Sequence, residues 1–205
     1  MRALFAVVAF AAALLTACSL PVRHAPADAM VKVITKGGHG SGFHMGDGFI
    51  VTAAHVVGDA EKVSLKTSLG ATVEAEVLWA NGAYDIALLR LAGPVDLQSA
   101  PLICRVPQVG ETITAKGNPV SAEFITVWGK VAGSERSFGP WRSVVVTDIA
   151  TVPGQSGGPV FDAGGNVIGV TVGVMASPVG FSVSLVGIGY VVPARAVCDL
   201  LARGA

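Results

Sequence analysis

From Met30 onward glycine-containing turns divide the chain into short β-type segments, and only its last dozen residues carry a helical period. The expected strands are Met30–Thr35, Phe49–Thr52, Lys62–Thr67, Thr72–Trp79, Ile86–Leu91, Thr112–Lys116, Phe124–Val131, Ser143–Asp148, Val160–Phe161, Val167–Val174 and Gly187–Val192. Several alternate in polarity, as Thr72-Val73-Glu74-Ala75-Glu76-Val77 does, the period-2 sign of a strand with one wet face. Many short strands without a long helix restrict the fold to an all-β sandwich or barrel. The one helix expected is terminal: Pro193 suits a first helical position, and Val197, Leu200 and Leu201 follow at i, i+3 and i+4. Gln98 to Gln108 holds two prolines and reads as a crossover between two groups of strands. The expected organisation is therefore a first lobe over about 30–97, a crossover over 98–108, a second lobe over 109–192 and a helix over 193–203.

An apolar fraction of 52% and only 14% charged residues also suit a membrane protein, so the location of the apolar residues matters. Arg2 is followed by thirteen uninterrupted apolar residues, Ala3 to Leu15. A bilayer-spanning helix needs about 20, whereas thirteen suit the apolar region of a secretory signal. Leu15-Thr16-Ala17-Cys18 resembles the bacterial lipobox, which implies cleavage after residue 17 and acylation of Cys18. The alternative is an ordinary signal peptide in which Cys18 is incidental. Residues 18–29, with two prolines and no periodicity, read as a tether. Ser19 after the lipidated cysteine implies the outer membrane, on its periplasmic side. No later run reaches 18 apolar residues, so attachment by lipid alone is expected. Fourteen Lys+Arg against fourteen Asp+Glu leave no electrostatic footprint for nucleic acid or for an anionic membrane surface.

Three motifs carry chemistry. Ile50-Val51-Thr52-Ala53-Ala54-His55 ends a β-type run in small residues and a histidine, and Asp85 opens the apolar run Ile86-Ala87-Leu88-Leu89. Either alone is uninformative, although a carboxylate beside a buried strand must find partners. In Pro153-Gly154-Gln155-Ser156-Gly157-Gly158-Pro159, three glycines and two prolines surround one serine. Such a loop can converge its amides on one point beside the hydroxyl, as stabilising an oxyanion requires.

Together these strings resemble the chymotrypsin-like serine peptidases, and more closely the HtrA/Deg-type bacterial branch. The resemblance covers about Met30 to Leu201. It rests on GSGFHMGDGFIVTAAHVV around His55, DIALLRL from Asp85, AKGNP at Ala115–Pro119, GQSGGPVF around Ser156 and GNVIGV at Gly165–Val170. The order His, Asp, Ser is that of the chymotrypsin type. The resemblance implies two six-stranded antiparallel β-barrels with a C-terminal α-helix and a site in the cleft between them. Ser156 would be the nucleophile, His55 the general base, Asp85 its orienting acid, and the amides of Gly154 and Ser156 the oxyanion hole. No metal and no organic cofactor is implied. His24, His39 and His44 lack metal-ligand spacing and are expected at the surface.

For specificity, the resemblance places the base of the pocket near Ala150 and Thr151 and one wall at Thr171, Val172, Gly173 and Val174. None of these is acidic, which implies small or medium apolar residues before the scissile bond. The implied activity is endopeptidase cleavage of exported or misfolded polypeptides; the competing reading is a weak or gated binding or chaperone-like module on the same fold. Three departures from the family are expected. No PDZ domain follows the protease segment, there is no evident zymogen cleavage site, and the serine that supports the catalytic acid in the chymotrypsin branch is matched by Thr171 or Val172. Cys104 and Cys198 form one bridge or remain two buried thiols; the resemblance, which packs the terminal helix near the crossover, fits the bridge.

Overall fold

The computed structural model describes residues 29–179 and 182–204. Cys18 and His24 lie outside these residues, as does the whole signal and tether reading apart from Ala29.

Alternation of apolar and polar side chains builds twelve strands. The first six are β1 (Met30–Thr35), β2 (Gly38–Gly46), β3 (Phe49–Thr52), β4 (Lys62–Thr67), β5 (Thr72–Asn81) and β6 (Ile86–Leu91). All pair antiparallel in the order β1-β2-β3-β6-β5-β4, and pairing of Val31 to Ile34 on β1 with Ser64 to Thr67 on β4 closes the barrel. Val31, Val33, Ile50, Leu65, Ala87 and Leu89 fill its interior. The second six are β7 (Thr112–Gly117), β8 (Ile125–Phe138), β9 (Trp141–Thr147), β10 (Pro159–Phe161), β11 (Val167–Val179) and β12 (Ser182–Pro193). They run β10-β11-β12-β9-β8-β7 and close through the short β10–β7 pairing around Ile113, Val145, Val160, Ile168 and Val191. The molecule is thus all-β with two six-stranded antiparallel barrels and a terminal helix.

Closure removes the exposed sheet edges that would otherwise invite aggregation. It also leaves each barrel small, and a third apolar cluster joins them. Phe43, Val51 and Leu88 of the first barrel meet Phe161, Val170, Val172, Tyr190 and Val192 of the second, with Val197 and Leu200 packed on the same cluster.

Two helices are formed among the described residues. The single turn α1 (Ala54–Val57) follows β3, and α2 (Ala194–Arg203) starts directly after Pro193 and ends at Gly204 in the left-handed conformation, φ 67°. The main differences from the expected strands are β2, which sequence pattern does not reveal, and the length of the β8–β9 and β11–β12 pairs. β8 accommodates its fourteen residues through three register shifts against β9, starting at Val131/Gly133.

The crossover is tied to α2. Cys104 and Cys198 form a disulfide with Cα atoms 5.8 Å apart, and the Arg195 amide donates to the Arg105 carbonyl. The Arg105 guanidinium bridges Glu111 and Asp162 and holds the Glu111 carboxyl below the usual carboxylate range. The bridge closes a loop of 94 residues, long enough for a chain-entropy contribution of about 4–5 kcal/mol. Converting Cys104 and Cys198 together to serine should lower unfolding free energy in denaturant titrations by about 2–5 kcal/mol. Reductant should destabilise the wild type and leave the double variant unchanged.

Candidate active site

His55 reaches the cleft because β3 ends at Thr52 and the chain turns at once into α1. The buried Thr52 hydroxyl, donating to the Ser41 carbonyl at 2.6 Å, fixes that turn. Asp85 sits at the turn into β6 with φ 57°, a left-handed conformation tolerated better by Asp than by most residues. Its carboxylate is buried and takes three donors. The His55 amide meets Oδ1 at 2.9 Å, His55 Nδ1 meets Oδ2 at 2.7 Å, and the Trp141 indole Nε1 meets Oδ2 at 3.1 Å. A desolvated carboxylate needs such donors. With Nδ1–H given to Asp85, the neutral imidazole keeps Nε2 as its basic atom.

Ser156 comes from the second barrel, on the loop leading into β10. Its main-chain partners can be counted through the loop. Val152 N–H donates to Gln155 Oε1, Gln155 N–H to the Val152 carbonyl, Gly157 N–H to the Thr171 carbonyl and Gly158 N–H to the Gln155 carbonyl. The two prolines have no N–H. Among the described residues, no acceptor meets the amides of Gly154 and Ser156, the pair expected to form the oxyanion hole. The orientation of the first is set from behind: Val120 N–H donates to the Pro153 carbonyl at 2.9 Å. In a trans peptide this turns the Gly154 N–H away from Val120.

A buried network holds this loop against the first barrel. Ser41 donates its N–H to the Ser156 carbonyl and its hydroxyl to the Gly154 carbonyl, both at 2.8 Å. The same hydroxyl accepts from Asn118 N at 2.9 Å and Asn118 Nδ2 at 3.1 Å. Asn118 Oδ1 accepts from the Phe124 amide, and His39 Nε2 donates to the Asn118 carbonyl at 3.0 Å. The loop carrying Asn118 and Val120 is tied outward as well. Glu123 bridges Lys32 at 2.9 Å and Lys66 at 2.6 Å, and the two ammonium groups, Lys66 first, hold its carboxyl down at about 2.

His55, Ser156, Gly154 and His39 line one cleft of about 1150 Å³. His55 and Ser156 make no side-chain hydrogen bond to each other among the described residues, a looseness common before substrate binds. Thr151, Val172, Gly173 and Val174 line the same cleft, but two residues expected there do not. Ala150 is exposed outside it, and Thr171 is buried, with its amide and carbonyl bonded to Gly158 and Gly157. Two further expectations need correction. His39, expected at the surface, lies in the cleft beside Gly154, because the unrecognised β2 carries it there. The third donor to Asp85 is Trp141, on a different strand from Thr171 and Val172. Ser41 and Asn118 lie inside the GSGF and GNP strings, yet no pattern marked them as partners of the loop.

Gly154 has φ 95°, and an added Cβ would lie 2.2 Å from the Asn118 carbonyl oxygen and 2.8 Å from His39 Nε2. An alanine must therefore push the loop off its support. Gly154→Ala should lower kcat/KM at least 100-fold, consistent with loss of about 3 kcal/mol at one oxyanion donor, while thermal unfolding stays cooperative. Retention of near-wild-type kcat/KM would show that this amide is dispensable.

Comparison with known proteins places this geometry. Residues 40–170 match the trypsin-like peptidase domain family. Relatives named as DegP-like periplasmic serine endoproteases include one from Pseudomonas savastanoi pv. phaseolicola, 30% identical over 78% of this chain and 33% of its own length. Another from Brucella suis biovar 1 is 33% identical over 80% of this chain and 33% of its own length. The chain thus spans about a third of these relatives. Among solved structures, the HtrA-type protease AlgW with a tripeptide superposes with a TM-score of 0.75 at 24% identity, over 87% of this chain and 60% of that one. An inactive form of a serine-to-alanine mutant of Rv3671c from M. tuberculosis superposes with a TM-score of 0.73 at 23% identity, over 89% of each chain. These two share the fold. The matched segment runs from Gly40 on β2 through His55, Asp85 and Ser156 to Val170 on β11, and the chain belongs to the trypsin-like peptidase family.

Proposed function

We propose that the chain is a serine endopeptidase in which Ser156 attacks the peptide carbonyl, His55 is the base and Asp85 orients it. The observation that carries this reading is the pair of amides, Gly154 and Ser156, left without acceptors among the described residues, beside a hydroxyl that shares its cleft with His55.

As Ser156 Oγ bonds to the carbonyl carbon, its proton passes to His55 Nε2 and the carbonyl oxygen becomes an oxyanion between the two amides. The imidazolium is stabilised by Asp85 across the 2.7 Å contact. Collapse of the intermediate breaks the C–N bond, and His55 returns the proton to the leaving amine. Water then cleaves the acyl-enzyme by the same route in reverse. Donors fixed before the reaction act without reorganising, which is why such preorganisation is worth several kcal/mol.

Thr151, Val172, Gly173 and Val174 give the near wall of the cleft no charge, which supports cleavage after small or medium apolar side chains. Relatives named as periplasmic endoproteases, together with the apolar run and Leu15-Thr16-Ala17-Cys18, support an exported enzyme held by lipid on Cys18 and acting on exported or misfolded polypeptides.

A fluorophosphonate probe should label the full chain, and Ser156→Ala should abolish both labelling and cleavage of an unfolded protein. A wild type that neither labels nor cleaves would overturn the reading in favour of a binding module on the same fold. For the anchor, Cys18→Ser should move the protein out of the membrane fraction or leave it unprocessed, and unchanged membrane retention would exclude lipidation as the attachment.

A further inference from the structure

We infer that Trp141 is a positioning residue for Asp85, taking the place of a hydroxyl on β11 and making the acid's alignment depend on the docking of the two barrels. The inference rests on the peptidase reading for its kinetic consequence, but its geometry stands apart from it.

Asp85 has donors on both oxygens, and among the described residues only one of them comes from outside the first barrel. His55 supplies two from α1. The third, Trp141 Nε1, arrives on the first residue of β9 in the second barrel. On β11, the strand that borders the cleft, Val172 offers only an aliphatic side chain. The indole instead covers Oδ2, and a smaller cavity of about 550 Å³ beside it is lined by His55, Asp85, Pro140, Trp141 and Val172. Without the indole, Oδ2 would open to that cavity and to water.

The indole is fixed at several points. The next residue, Arg142, donates its amide to the Ala83 carbonyl at 2.8 Å, two positions before Asp85. The six-membered ring occupies the space a side chain would need on Gly173: a Cβ there would lie 2.5 Å from the ring. Tyr190 packs on it with centroids 5.3 Å apart, and Phe138 stacks on Tyr190 at 4.7 Å. Gly173 therefore provides a slot, Tyr190 and Phe138 one side of it, and Ala83 the anchor at its mouth. A ring held this way presents its N–H at one place.

The functional consequence is directional. A carboxylate with a fixed plane holds the Nδ1–H tautomer and aims Nε2 at Ser156. One that has lost its third donor can rotate or take up water. The loss should appear in the chemical step and leave substrate binding almost unchanged, since Trp141 stands behind the acid.

The test uses the full chain with Trp141→Phe and with β-(3-benzothienyl)alanine introduced at position 141 alone, a near-isostere in which sulfur replaces the indole N–H. Expected are a fall in kcat of roughly tenfold in both variants, KM within about twofold, and displacement of the low-field Nδ1–H proton resonance of His55, as removal of a hydrogen bond to a charged group implies. Unchanged kcat and resonance in the benzothienyl variant would overturn the inference, because that variant keeps the packing. If wild-type Ser156 proves unreactive, the peptidase reading fails, and the His55 resonance alone still decides whether Trp141 orders the acid.

Discussion

Ser41 holds the two barrels in one frame. Its amide and hydroxyl reach across to Ser156 and Gly154, and its carbonyl takes the Thr52 hydroxyl at the foot of the turn that carries His55. One buried residue thereby fixes the loop that carries Ser156 to the segment that carries His55. Singly, such hydrogen bonds contribute only about 1 kcal/mol net. Their consequence is larger because breaking one leaves a buried polar group unpaired, at about 1–3 kcal/mol, and because Asn118 and His39 share the same network. The loop is consequently held in one arrangement, with the amides of Gly154 and Ser156 left over.

The apolar seam makes that frame possible. Fully burying a Val, Leu or Phe side chain contributes about 1.5–3 kcal/mol, and Phe43, Leu88, Phe161, Val172 and Val192 all lie in the cluster between the barrels. Polar groups within it are then paid for by neighbours rather than by water, and orientation becomes the scarce quantity. Tyr190 shows the limit: its hydroxyl is buried without a partner among the described residues, and burial pushes its titration up. Its ring nonetheless supports Trp141, so the site accepts an unsatisfied hydroxyl where the aromatic face is needed.

Legibility followed range. The alternating segments, the terminal helix and the three motif strings could be read because each depends on neighbours a few residues apart. β2 could not: Gly38-His39-Gly40-Ser41-Gly42 has little β propensity, and Gly40 is small for a tertiary reason, since a Cβ there would meet Val56 at 2.5 Å and the Ser156 carbonyl at 3.0 Å. Missing β2 hid His39 and Ser41 together. Trp141 was illegible for a related reason. Its partner is 56 positions away, and the residues matched to the family's supporting serine, Thr171 and Val172, lie on a different strand. Ala150 was expected at the pocket base from the resemblance alone, and the path of the loop before Ser156, which leaves it exposed, is set by the fold.

The charged contacts at the seam play a smaller part, and their position shows why. Glu123 reaches both Lys32 and Lys66, but all three are only half-buried, so water and salt still screen them. Because the Glu123 carboxyl titrates at about 2, below its ordinary value, any stability it adds is fully present above the ordinary carboxylate range and lost as pH falls through about 2. Across the neutral range it is a constant. Glu123 ties the loop that carries Val120 to Lys32 on β1 and Lys66 on β4. Position is set deeper, by Asn118 on Ser41 and by Val120 on the Pro153 carbonyl. Short buried contacts therefore define the loop of Gly154 and Ser156, and the half-buried ion pairs tie down the loop behind it.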